Sequence, residues 1–153
     1  MDLCTPISFK PTRYTQSEFR HGITKLEDLI KNGDDNSDLV ADENQLKYPL
    51  KHTFLDNQYV RELQSPAGQL IVTKLHKTQH PFFLLQGEMS IITEKGEEHI
   101  SAPYYGITNI GTKRIIYTHT DCTLVTVHPT NKKDLDEIEE DIIAKDYNEL
   151  EEL

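Results

Sequence analysis

The chain has 153 residues, of which 36% are hydrophobic and 27% charged, and a formal net charge of −10. This is the size and balance of one soluble globular domain with a modest core. The segment from Asp134 to Glu152 holds ten acids against Lys145 and carries −9, which leaves the remainder near −1; with no basic patch, duplex nucleic acid is excluded as a direct partner.

No run of about 18 apolar residues exists to span a membrane. Met1-Asp2-Leu3-Cys4-Thr5-Pro6 lacks the basic and apolar regions of a secretion signal. Cys4 and Cys122 have no metal-like spacing and read as free thiols, so a cytoplasmic protein is expected.

Residues 1–47 read as an N-terminal arm carrying one helix. Pro6 and Pro11 point to an extended start. Thr15 or Ser17 caps a helix over about 16–31, and Glu18 adds a charge that suits its N-terminus. Phe19, Ile23, Leu26, Leu29 and Ile30 recur at helical spacing. Gly22 costs this helix roughly 1 kcal/mol, and Asn32-Gly33 ends it. Asp34 to Asp38 reads as a polar loop, and 39–47 is ambiguous.

From Tyr48 the pattern changes to strands. Asp56-Asn57 is a turn, and Gln58–Leu63 places Tyr59, Arg61 and Leu63 on one face. Leu70-Ile71-Val72 and Met89-Ser90-Ile91-Ile92-Thr93 read as further strands, the second closing in a hairpin at Glu94-Lys95-Gly96-Glu97. Phe82-Phe83-Leu84-Leu85 reads as a strand buried on both faces. Lys113-Arg114 reads as a hairpin with solvated basic residues, with an anion-contacting loop as the alternative. Short strands at regular spacing from 48 to 130 signify a sandwich or barrel. Residues 131–153 form an acidic C-terminal helix and tail. Leu135, Ile138 and Ile142 make one apolar stripe that packs on the barrel or on a partner subunit, and 146–153 is expected to fray.

The chemically rich stretch is His76-Lys77-Thr78-Gln79-His80, followed by Gly87 and flanked by strands on both sides. It resembles the first motif of the cupin superfamily. His76 falls on the second histidine of that motif, His80 on its glutamate and Gly87 on its closing glycine, while Lys74 stands where the first histidine belongs. Pro103-Tyr104-Tyr105-Gly106-Ile107-Thr108-Asn109 resembles the second motif, with Tyr105 in the histidine position. The likeness covers about 48–130, and the wording is also similar to small cupin-like proteins carried by bacteriophages. It implies a mainly β, cupin-like barrel or jelly roll that assembles as a homo-oligomer, in the host cytoplasm if the chain is phage-encoded.

Within that frame Lys74 and His76 face the barrel interior and His80 enters from the next strand. Two imidazoles in one cavity can bind a divalent transition metal of the zinc, iron, nickel or manganese kind, but a stable site usually needs three or four ligands. The third comes from His128, His119, His99, Tyr104 or Tyr105; strand parity decides which, and His76, His80 and His128 form the favoured set. His119 lies beside a Thr120-Asp121 turn and is expected to face solvent. An ammonium at Lys74 repels a cation, and a phenol at Tyr105 is a poor ligand at neutral pH.

Three functions follow. The first is a non-catalytic receptor, with no required cofactor, in which Lys74, His76, His80, Tyr104 and Tyr105 hold a polar or anionic small molecule. The second is a metal-dependent cupin enzyme, an isomerase or dioxygenase, using His76 and His80. The third is an interaction protein working through the acidic helix. None of the common nucleophile, phosphate-loop, dinucleotide or zinc-protease signatures is present.

Overall fold

The computed structural model describes residues 14–32, 39–40 (backbone alone) and 50–153. The expected N-terminal arm with Pro6 and Pro11, Cys4 and the loop from Asp34 to Asp38 lie outside them. Helix α1 (Gln16–Lys31) starts at Thr15, whose hydroxyl accepts the Glu18 backbone N–H while the Glu18 carboxylate accepts the Thr15 N–H. This reciprocal cap satisfies two donors that the helix itself leaves unpaired. The helix buries Phe19, Ile23 and Ile30 against Val72. Leu29 is 63% exposed. It lies one residue, about 100°, off the stripe that runs through Ile23, Leu26 and Ile30.

Two five-stranded sheets face each other. One has the order β1 (Leu39–Val40), β4 (Leu70–Val72), β10 (Ile115–Thr118), β7 (Glu88–Thr93) and β8 (Gly96–Ser101). The other has the order β2 (Lys51–Leu55), β3 (Gln58–Ser65), β11 (Cys122–Pro129), β6 (His80–Gln86) and β9 (Tyr104–Thr108). Pairing is antiparallel except between β1 and β4. Alternation decides what faces in: β6 buries His80, Phe82 and Leu84, and β11 buries Cys122, Leu124 and His128. These meet Ile71, Met89, Ile91 and Ile116 of the opposite sheet in one core. The protein is thus mainly β, a double-sheet barrel of cupin type with helices at its N-terminal and C-terminal ends.

Three expectations change. Phe82-Phe83-Leu84-Leu85 is not buried on both faces: Phe82 and Leu84 point into the core, while Leu85 is 60% exposed on the outer side of the sheet. Lys113 and Arg114 are not freely solvated, since Arg114 is 5% exposed and Lys113 is partly buried in an ion pair with Glu27. The C-terminal end does not fray. Helix α2 (Leu135–Ile142) buries Ile138 and Ile142 against Tyr59 of the barrel. The chain then runs as β12 (Ile143–Ala144) antiparallel to β5 (Leu75–His76) and closes with α3 (Tyr147–Glu151), capped by Asp146. The Arg20 guanidinium of α1 lies over the Tyr147 ring, 4.3 Å from its centroid. Among the described residues no helix is long and apolar enough to cross a membrane.

Candidate metal centre

Three elements bring imidazoles to one point inside the barrel. His76 sits on the short β5, held in register by Ile143 of β12. His80 opens β6, four residues later, across a turn. His128 lies near the end of β11, opposite Tyr59 of β3. Their exposures are 5%, 2% and 2%. Ring centroids stand 4.4 Å apart for His76–His80, 4.3 Å for His80–His128 and 5.1 Å for His76–His128, the last pair stacked within 11°.

One ring nitrogen of each residue lies within 4.8 Å of those of the other two. Metal–imidazole bonds of about 2.0–2.1 Å would require these atoms to draw together by roughly 1 Å.

The hydrogen bonds favour ligation. His80 Nδ1–H donates to the Thr78 carbonyl at 3.1 Å. A carbonyl can only accept, so the proton is on Nδ1 and the buried Nε2 keeps a bare lone pair. His128 Nε2 meets the Thr126 hydroxyl at 2.8 Å. Three buried ring nitrogens are left with no hydrogen-bond partner among the described residues: His76 Nδ1, His80 Nε2 and His128 Nδ1. An unpaired buried polar atom is costly, and three converging ones are what a cation would satisfy. A backbone carbonyl and a hydroxyl on the far nitrogens are the supports that orient metal-bound imidazoles.

Electrostatics keep the rings neutral, as ligation requires. Burial takes His76 down to about 2, and the adjacent His80, His128, Arg114 and Arg61 oppose its protonation further. Burial lowers His128 to about 3, with His80, Arg61 and Arg114 adding to the effect. Burial lowers His80 to about 4, partly opposed by the Thr78 carbonyl.

Around the cluster, a cavity of about 110 Å³ is lined by His76, His128, Tyr59, Arg61 and Lys74 and roofed by α2. Tyr59 is held above its ordinary range, at about 12, by burial, and its ring stacks on His128 at 5.8 Å.

The other candidates fall elsewhere. Lys74 lines this cavity, but its ammonium is paired with Glu139 of α2 at 2.6 Å. Tyr104 faces inward four rungs along the β6–β9 ladder from His80, packs on Phe82 and donates to Glu98 at 3.0 Å. Tyr105 is 69% exposed and stacks on Phe83 on the outer face. The structure brings neither tyrosine to the histidines. His99 and His119 are exposed and stack on each other at 4.8 Å, outside the barrel.

Sequence reasoning gave Thr126, Thr78 and Thr108 no role, and gave Arg114 one only as the alternative of an anion-contacting loop. Only Arg61, placed on the Tyr59–Leu63 face, carried a signal in its parity.

No protein-family model and no curated protein sequence matches the chain. Solved structures do. The ectoine synthase of P. lautus superposes with a TM-score of 0.50 at 13% identity over 60% of this chain and 70% of that one. The cupin domain of Schizosaccharomyces pombe Cnp3 gives 0.48 at 18% identity over 60% and 69%. A cupin-2 domain protein of Shewanella frigidimarina gives 0.47 at 9% identity over 56% and 84%. At these identities the likeness is one of fold.

Proposed function

We propose that this chain is a metal-dependent cupin-fold enzyme. In this reading His76, His80 and His128 hold one divalent transition-metal ion, and a small polar molecule reaches it inside the barrel. One observation carries the reading: three buried, neutral imidazoles converge, each with a ring nitrogen that has no hydrogen-bond partner among the described residues. When bound, the ion would supply Lewis-acid polarisation of an oxygen on that molecule.

The chain's own residues prepare the site. The Thr78 carbonyl selects the His80 tautomer that leaves Nε2 free. The Thr126 hydroxyl steadies His128. Tyr59 and the apolar face of α2 wall one side of the cluster. A metal-free receptor built on Lys74, His76, His80, Tyr104 and Tyr105 is less favoured, since the tyrosines stand apart and Lys74 is neutralised by Glu139.

The test is elemental analysis of untagged protein after exposure to Zn²⁺, Ni²⁺, Mn²⁺ or Fe²⁺ and desalting. About one equivalent of one of these ions is expected, falling below about a tenth in His80→Ala and His128→Ala. Wild-type protein that retains less than a tenth with every ion sinks the proposal.

The outer face of the second sheet favours self-association. Phe83, Leu85, Tyr105 and Ile107 form an apolar strip at the β9 edge, with Leu85, Tyr105 and Ile107 exposed. We propose that two copies pair across it, in line with how native proteins manage exposed edges.

A further inference from the structure

A second site lies beside the histidines, and it rests on a charge rather than on a metal. Arg114 precedes β10 and is 5% exposed. Its backbone is fixed to Thr73 in both directions, with Arg114 N–H donating to Thr73 Oγ1 at 3.0 Å and Thr73 N–H donating to the Arg114 carbonyl at 2.9 Å. The guanidinium carbon lies over the Phe82 ring, 4.8 Å from its centroid. Among the described residues its buried Nε has no hydrogen-bond partner and no carboxylate pairs with the guanidinium.

Burial alone lowers this group, to about 10, so it is a full cation at neutral pH. Arginine is rarely buried unless paired, and an uncompensated interior charge is among the most costly arrangements in a protein. The hydroxyl of Thr108, 2% exposed and facing inward on β9, is likewise buried without a hydrogen-bond partner among the described residues.

Both residues line a cavity of about 280 Å³, with Phe19, Phe82 and Ile91 among its apolar walls. The acids of the β7–β8 hairpin, Glu94, Glu97 and Glu98, stand at its rim.

We propose that this cavity binds a compact monocarboxylate, its carboxylate seated on Arg114 and Thr108 and its apolar body against Phe19, Phe82 and Ile91. A planar carboxylate accepts from a guanidinium fork and from a hydroxyl at once. The apolar walls select an apolar body. The acidic rim repels dianions, and the neighbouring Lys113 is already paired with Glu27, so a phosphate has too few donors. The site does not depend on the metal reading: Arg114 and Thr108 are free to bind whether or not the histidines are loaded.

The experiment uses chelator-treated full-length protein at pH 7, melted with sodium benzoate or hexanoate, with benzamide as the neutral isostere and inorganic phosphate as a competing anion. Benzoate or hexanoate at about ten times its Kd raises Tm by at least about 2 °C, while benzamide and phosphate leave it unchanged. Arg114→Met melts no lower than wild type without ligand, because an unpaired charge has left the interior, and its carboxylate response weakens at least tenfold. Thr108→Val weakens the response several-fold.

If Arg114→Met does not fold, Arg114→Lys decides: a response weakened threefold or more supports the site, and an unchanged one overturns it. The proposal is also overturned by wild-type protein that answers to neither carboxylate, by an equal rise with phosphate, or by Arg114→Met with the wild-type response. His128→Asn that loses metal but keeps the benzoate response supports this site and leaves the failure, if any, to the metal reading.

Discussion

Single side chains decide whether the barrel closes around its histidines. Gly87, at the β6–β7 corner, has φ +91°, and a Cβ there would be driven into the Asp121 carbonyl and the Cys122 thiol. Gly87→Ala is therefore expected to cost more than the roughly 1 kcal/mol of an ordinary glycine exchange, read as a lower urea midpoint at unchanged slope. Leu84 is wholly buried at the barrel centre. Leu84→Ala should lose about 3–5 kcal/mol, the range for a cavity that cannot collapse. Thr126 acts at one remove. With Thr126→Val, His128 Nε2 loses its partner, and metal affinity should fall about 10–100-fold with little change in the far-ultraviolet circular dichroism. Equal affinity in the two proteins would show that the hydroxyl is incidental.

Among the elements, the C-terminal strap has the largest consequence for the site. Lys74–Glu139 at 2.6 Å and Lys77–Glu149 at 2.9 Å join the barrel to the acidic segment, and β12 pairs with the strand that carries His76. Exposed pairs of this kind add little individually. The apolar contacts of Ile138 and Ile142 on Tyr59 hold the element down. Ile142→Ala should cost about 2–4 kcal/mol and raise hydrogen exchange at His76 and Lys77, whose N–H donates to the Ile142 carbonyl at 2.7 Å. Unchanged exchange at those amides would mean that β5 is held without α2. The acidic face thus turns outward because the helix has one apolar stripe to bury, and the barrel's lysines meet part of its charge.

For the whole molecule, the neutral histidines set the acid limit of stability. Each takes up a proton near pH 6.5 when unfolded, while the folded values are about 4 for His80, 3 for His128 and 2 for His76. The unfolded chain therefore binds more protons below pH 6.5. Stability is complete above that value and is lost as the pH falls through 6.5 towards the folded values, by roughly 1.4 kcal/mol per group per pH unit. Metal-free protein should unfold on acidification from pH 6 towards 4, and a His80→Gln/His128→Gln double variant should give a shallower curve. A urea midpoint that is flat from pH 7 to 5 would contradict the buried, neutral assignment. At the assembly scale, light scattering should give a dimer that Ile107→Lys converts to monomer; a monomeric wild type would leave the apolar strip unexplained.

Much of the architecture was legible along the chain because it depends on local rules. Period-two alternation marks β3, helical spacing marks α1, and turn residues mark the Asp56-Asn57 and Glu94-Lys95 reversals, whereas the unbroken apolar run of β6 hid which of its faces is inward. His76 and His80 could be singled out for the same reason, since four residues and a turn keep them close. His128 lies 48 positions beyond His80, and only the pairing of β11 between β3 and β6 fixed the parity that turns it inward. Tertiary packing also decided the fate of Arg114: it follows a turn, where charge is ordinarily solvated, and α1 and Phe82 closed over it. Which side of a strand meets a core depends on what the rest of the molecule places there, and no local pattern encodes that.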